Sequence, residues 1–135
     1  ILPDLPLYEF ENIYGKKIKD NGLDFIFLVT PETPEERLRK LDSLSSGFLY
    51  AVSSSATTGK DKDFSQVALY LQRLQKMNLK NPILVGFGIK DKQSFDAVNE
   101  FTHGAIIGSA YINALSKGED VGLITKEFLN GVLGN

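Results

Sequence analysis

The chain has 135 residues, 42% hydrophobic and 24% charged, with a formal net charge of -2. That length makes one domain with a real core, and the slight acidity argues against a nucleic-acid surface, which usually carries a basic stripe. With no cysteine and a single histidine, His103, neither disulfides, a thiolate metal site nor a typical zinc site is expected. No run of about eighteen apolar residues and no signal peptide is visible, which leaves a cytoplasmic enzyme or binding domain as the expectation.

Apolar, strand-like runs alternate with helical stretches along the whole chain. Ile1 to Leu5 reads as a strand already under way, with no methionine, cap or loop before it, as expected of a piece of a longer chain. Tyr8 to Asn21 reads as a helix with Ile13, Tyr14 and Ile18 on one face and Gly22 as its C-terminal cap. Phe25 to Val29 is too uniformly apolar to have a wet face and suits a buried parallel strand. Thr33-Pro34-Glu35-Glu36 predicts a helix start with an N-cap threonine, proline at the first helical position and a capping box. Leu38, Leu41 and Leu44 form the inward stripe of that helix, and Ser46-Gly47 end it.

Phe48 to Val52 is the third strand, followed by a polar loop from Ser53 to Asp63. The helix Phe64 to Met77 turns Val67, Tyr70, Leu71 and Leu74 inward. Ile83 to Val85 is the fourth strand, with a helix starting near Asp91 that buries Phe95 and Val98. Ala105 to Ile107 is the fifth. A short helix from Ser109 to about Leu115 precedes a final one carrying Val121, Ile124, Phe128 and Val132. Repeated βα units of this size imply a parallel sheet in a single α/β domain spanning residues 1–135.

Two of these units carry the chemistry. Pro82-Ile83-Leu84-Val85-Gly86-Phe87-Gly88-Ile89 and Gly104-Ala105-Ile106-Ile107-Gly108-Ser109-Ala110 are apolar runs that end in small residues and lead into helices. (β/α)-Barrels hold a phosphate this way, offering bare backbone N–H groups after their last two strands and at a short helix's N-terminus. A Cβ at such corners would keep the phosphate oxygens away from the backbone. Spacing alone also allows the plainer reading that these glycines only permit tight βα turns. Tyr50 sits inside an apolar strand, where a buried hydroxyl needs a partner, as in a core tyrosine bonded to backbone.

Ile1-Leu2-Pro3-Asp4-Leu5-Pro6, Phe27-Leu28-Val29-Thr30-Pro31, Gly47 to Ser53 with Thr58-Gly59, Gly86-Phe87-Gly88-Ile89 and Gly108-Ser109-Ala110 occur in an order that resembles the tryptophan synthase α-subunit family. The resemblance covers essentially the whole chain and matches strands four to eight of that family's TIM (β/α)8 barrel. It implies a partial barrel of five βα units. It further implies a lyase of tryptophan biosynthesis that splits indole-3-glycerol phosphate into indole and glyceraldehyde 3-phosphate. No cofactor is needed on the α subunit. A β subunit, in an αββα-type complex, receives the indole through a tunnel and joins it to serine with pyridoxal phosphate.

By the same resemblance Gly59, Phe87, Gly88, Gly108 and Ser109 hold the substrate phosphate. Tyr50 orients groups near the indole, and Phe87 and Ile106 line the apolar pocket. Ser53 to Asp63 resembles a mobile loop that closes over substrate, with Thr58 helping to position a catalytic aspartate. Ser54 stands where many members carry arginine, which puts charge-based closure of that loop in doubt. The family's catalytic glutamate and aspartate match nothing here, and Asp4 matches a structural aspartate, so no catalytic residue is expected in this chain. Two other readings stay open: a related phosphate-binding barrel of aromatic amino-acid biosynthesis, and a non-catalytic phosphate-binding or partner-docking module. Five strands cannot close a barrel. The expected outcomes are a half-barrel completed by a missing piece, two copies paired edge to edge, or a flavodoxin-like sheet of order 2-1-3-4-5.

Overall fold

The computed structural model describes residues 1–52, 64–86, 88–118 and 120–134. The chain opens with a helical segment made of α1 (Leu7–Glu9), a π-helical turn (Phe10–Tyr14) and α2 (Gly15–Asp20). Then come β1 (Leu28–Val29), α3 (Glu35–Leu44), β2 (Leu49–Val52), α4 (Phe64–Lys76), β3 (Ile83–Gly86), α5 (Lys92–Asn99), α6 (Ser109–Leu115) and α7 (Val121–Leu133). Among the described residues the three strands form one parallel sheet in chain order, β1-β2-β3. A single parallel bridge, Val85 to Ala105, adds a fourth segment beside β3. Neighbours in sequence are neighbours in space, the order of a barrel wall and not the 2-1-3 order of a doubly wound sheet.

Strand side chains alternate between the two faces of a sheet. Phe25, Phe27, Val29, Leu49, Ala51, Ile83 and Val85 are all buried, in one cluster with Leu38 and Leu41 of α3, Val67, Tyr70, Leu71 and Leu74 of α4, and Val98 of α5. The helices therefore cover the odd-numbered face, with α3 and α4 using the stripes expected of them. Residues of the other face, Ile26, Leu28, Tyr50, Val52 and Leu84, are only partly buried.

The first helical segment departs from its expected phase. The Gly15 N–H donates to the carbonyl of Phe10, five residues back, so the turn holds one residue more than an α-helical turn. The extra residue rotates Ile13 and Tyr14 out to solvent and swings Phe10 in. Phe10 meets Phe25 and Phe27 with ring centroids 4.5 and 4.9 Å apart. Ile18 still packs against the core, and Gly22, at φ 66°, ends the segment as expected.

Other expectations also need correcting. Ile1 to Leu5 makes no strand, because the Leu5 N–H folds back to the Leu2 carbonyl and Pro3 has no ladder donor to offer. Thr33 is not the N-cap of α3. Its hydroxyl takes the Thr30 N–H at 2.9 Å, and Pro34, extended at ψ 153°, caps the helix without a side-chain bond. Val121 points into solvent, while Val132 of the same helix is buried. At α5 a capping box does form, with Asp91 accepting the Ser94 N–H. The Ser94 hydroxyl and N–H hold the Asp91 carboxyl below the usual carboxylate range.

Two polar stitches tie helices to strands other than their neighbours. Asp42, buried near the end of α3, accepts the N–H groups of Lys80 at 2.7 Å and Asn81 at 2.9 Å, immediately before β3. The Asn81 amide donates back to the Asp42 carbonyl. Tyr70 of α4 donates its hydroxyl to the Val29 carbonyl at 3.0 Å, and burial pushes that hydroxyl above the ordinary tyrosine range. Asp42→Ala leaves two amides without an acceptor and should cost about 2–4 kcal/mol, read from the urea midpoint, with Asp42→Asn costing less.

Candidate functional site

In a parallel α/β sheet the chemistry collects where the strands end, at the loops that lead into the helices. Here those ends are braced from behind. Arg73 of α4 donates to the carbonyls of Pro31 and Thr33 at 3.0 and 3.1 Å, while Tyr70 beside it holds Val29. The loop after β1 is thus fixed against α4 independently of its own strand.

Tyr50, in the middle of β2, stands in register between Leu28 and Leu84 on the partly buried face. Its ring reaches toward the neighbouring strand and lies over Gly86. A Cβ built at Gly86 would fall on the hydroxyl, Cε2 and Cζ atoms of Tyr50. Gly86 is therefore glycine for want of space, a role the sequence alone did not show. The only signal for it was a small residue ending an apolar strand.

The two glycine corners are related by register. Val85 pairs with Ala105, and Gly88 and Gly108 each stand three residues beyond that pair. Adjacent parallel strands run about 4.8 Å apart, so both chains leave the sheet side by side and on the same edge. Gly88 is exposed at φ 46°, a left-handed conformation that favours glycine. Gly108 is the N-cap of α6, its carbonyl accepting the Ile112 N–H at 3.0 Å, and Ser109 is the first helical residue, also exposed. The opening N–H groups of a helix have no intrahelical acceptor. Ala105 and Ile107 pack into the core, so Ile106 between them faces the same side as Tyr50.

Gly88, Gly108 and Ser109 thus lie beyond the same end of the sheet, and Tyr50 and Ile106 lie on its partly buried face. Thr58, Gly59 and Phe87, together with Ser54 and the rest of the Ser53 to Asp63 loop, lie outside the described residues. Asp4 is exposed in the opening turn. The described residues hold no cluster of three or more His, Cys, Asp or Glu side chains able to bind a metal. None of the described helices is long and apolar enough to cross a membrane.

A family model described as tryptophan synthase alpha chain matches residues 1–129. The chain belongs to that family. A tryptophan synthase alpha chain of Bacteroides thetaiotaomicron is 45% identical over 121 residues, which are 89% of this chain and 47% of the relative. One from Parabacteroides distasonis is 47% identical over 116 residues, 85% of this chain and 45% of the relative. The solved tryptophan synthase A-subunit of Pyrococcus furiosus superposes with a TM-score of 0.82 at 27% identity, over 99% of this chain and 54% of that one. The chain spans about half the length of the relatives it matches, and its fold is part of a (β/α)8 barrel.

Gly86→Ala should drive the Tyr50 ring from its place and cost about 1–3 kcal/mol. Combining it with Tyr50→Leu should restore part of that loss, giving a coupling of about 1 kcal/mol in a double-mutant cycle of urea unfolding. Strict additivity would show that the two residues do not share this space.

Proposed function

We propose that this chain supplies the phosphate-holding and indole-facing half of a lyase that cleaves indole-3-glycerol phosphate to indole and glyceraldehyde 3-phosphate in tryptophan biosynthesis. The observation that carries the reading is the common offset of Gly88 and Gly108 from the Val85–Ala105 pair. It brings two glycine corners and the N-terminus of α6 to one edge of the sheet, where family membership calls for a phosphate site.

In this reading the dianion sits against the backbone amides at Gly88 and Ser109 and the Ser109 hydroxyl, with Gly59 and Phe87 completing the cradle. A helix N-terminus favours such a charge by roughly 0.3–2 kcal/mol from its dipole. The indole ring lies along the apolar face, between Ile106, Phe87 and Tyr50, with Tyr50 orienting it. Holding both ends of the substrate fixes the bond to be broken, which is where positioning contributes to rate. Cleavage then needs a proton delivered to the indole carbon as the ring nitrogen gives up its own. The side-chain hydroxyl next loses its proton to become the aldehyde, the carbon–carbon bond breaks, and its electron pair passes into the ring so that the nitrogen is protonated again. Those transfers fall to a glutamate and an aspartate in the half of the barrel that this chain does not match, and Thr58 helps to place the aspartate. The α-type chain needs no cofactor for this. Its partner is a tryptophan synthase β subunit in the cytoplasm, which consumes the indole.

The partly buried face of the strands favours a second reading. Ile26, Leu28, Tyr50, Val52 and Leu84 include no carboxylate, as in a non-catalytic phosphate-binding module. One assay separates the two. Indole release from indole-3-glycerol phosphate should be absent with this chain alone and present once the complementary strands are supplied. Absence in both cases overturns the lyase reading. Gly88→Val should weaken inorganic phosphate binding about tenfold, since a branched side chain at a left-handed position costs roughly 1–2 kcal/mol. Unchanged affinity removes Gly88 from the cradle.

A further inference from the structure

The last segment joins the sheet through an irregular ladder. Val85 donates to the Gly104 carbonyl at 3.1 Å and accepts the Ile106 N–H at 2.8 Å, while Ile83 accepts the His103 N–H at 2.9 Å. The step from Ile83 to Val85 is two residues, and the step from His103 to Ile106 is three, so the second segment carries one residue too many. This is the arrangement of a β-bulge. Gly104 occupies it at φ 153°, where a Cβ would also press on Leu84 Cδ2 at 3.1 Å.

The Ile83 N–H donates to a side chain: His103 Nδ1 accepts it at 3.1 Å. His103 therefore meets Ile83 twice, donating through its backbone and accepting through its ring. To accept at Nδ1 the neutral imidazole carries its proton on Nε2. The bond sits at the start of a segment held to the sheet by a single bridge. A slip of one residue there would shift the backbone about 3.3 Å and turn Ile106 to the opposite face.

We propose that His103 is a positioning residue of the anion site. Its Nδ1 supplies the acceptor for Ile83 at the bulged ladder, locks Ala105 opposite Val85, and so sets Gly108 and Ser109 level with Gly88. The proposal rests on the phosphate reading above, five residues along the chain from the nearer glycine.

The test compares His103→Asn, whose Oδ1 branches where Nδ1 does, with His103→Leu, which has similar bulk and no acceptor. Amide hydrogen exchange reports on Ile83 and Ile106, and inorganic phosphate titrated against the Gly88 and Ser109 amide resonances reports on the cradle. H103N should keep both close to wild type. H103L should speed exchange at Ile83 and Ile106 and weaken phosphate binding, each by up to about tenfold, the effect of losing one part-buried hydrogen bond from the exposed His103. Wild-type exchange and affinity in H103L would overturn the proposal. A wild-type chain indifferent to phosphate would overturn the cradle instead, and the Ile106 exchange ratio would still decide the register role. Should H103L fail to fold, the imidazole ¹⁵N shifts of the wild type decide, because a proton on Nδ1 is incompatible with the bond.

Discussion

The structure depends on one asymmetry: helices pack on a single face of a parallel sheet. Odd-numbered strand residues from Phe25 to Val85 are buried beneath α3, α4 and α5, and the alternate residues are left partly open. Because side chains alternate strictly, the same backbone that fills the core also presents Leu28, Tyr50, Val52 and Leu84 as an apolar wall. Core and candidate pocket are therefore two sides of one pattern. Any change of register that damaged the first would invert the second.

The chemistry is distributed along that pattern in a definite way. In the function proposed above, the wall supplies shape and apolar contact, while charge recognition is left to backbone amides at the strand ends. This division suits a substrate with an aromatic ring at one end and a phosphate at the other. It also explains why small residues collect at the end of β3: Gly86 makes room for the Tyr50 ring, and Gly88 takes a left-handed turn.

Much of this was legible in the sequence, for reasons that can be named. α3 and α4 were readable because their leucine stripes repeat at helical spacing, and Leu38, Leu41, Leu71 and Leu74 all reached the core. The glycine corners were readable as spacing. The phase of the first helical segment was not, since the π turn at Phe10 turns Ile13 and Tyr14 outward and leaves no mark in composition. The Thr33 hydroxyl had two uses available and closed a turn with Thr30 in place of capping α3. The last strand shrank to one bridge because its extra residue is a bulge, which depends on a neighbour's hydrogen bonds and not on its own sequence. The contact between Tyr50 and Gly86 lies 36 positions apart in the chain and follows only from strand pairing.

The long-range stitches bear on how this barrel segment comes apart. Asp42, on the helix between β1 and β2, reaches past β2 to the backbone ahead of β3, while Tyr70, between β2 and β3, reaches back to β1. Each helix is thus anchored in a unit beyond the two it connects. A solenoid of βα repeats bound only to nearest neighbours would fray from its ends, one repeat at a time. Here, losing β3 strips hydrogen bonds from α3 and losing β1 strips one from α4, so neither end of the segment comes away without breaking a bond to a helix beyond its own unit.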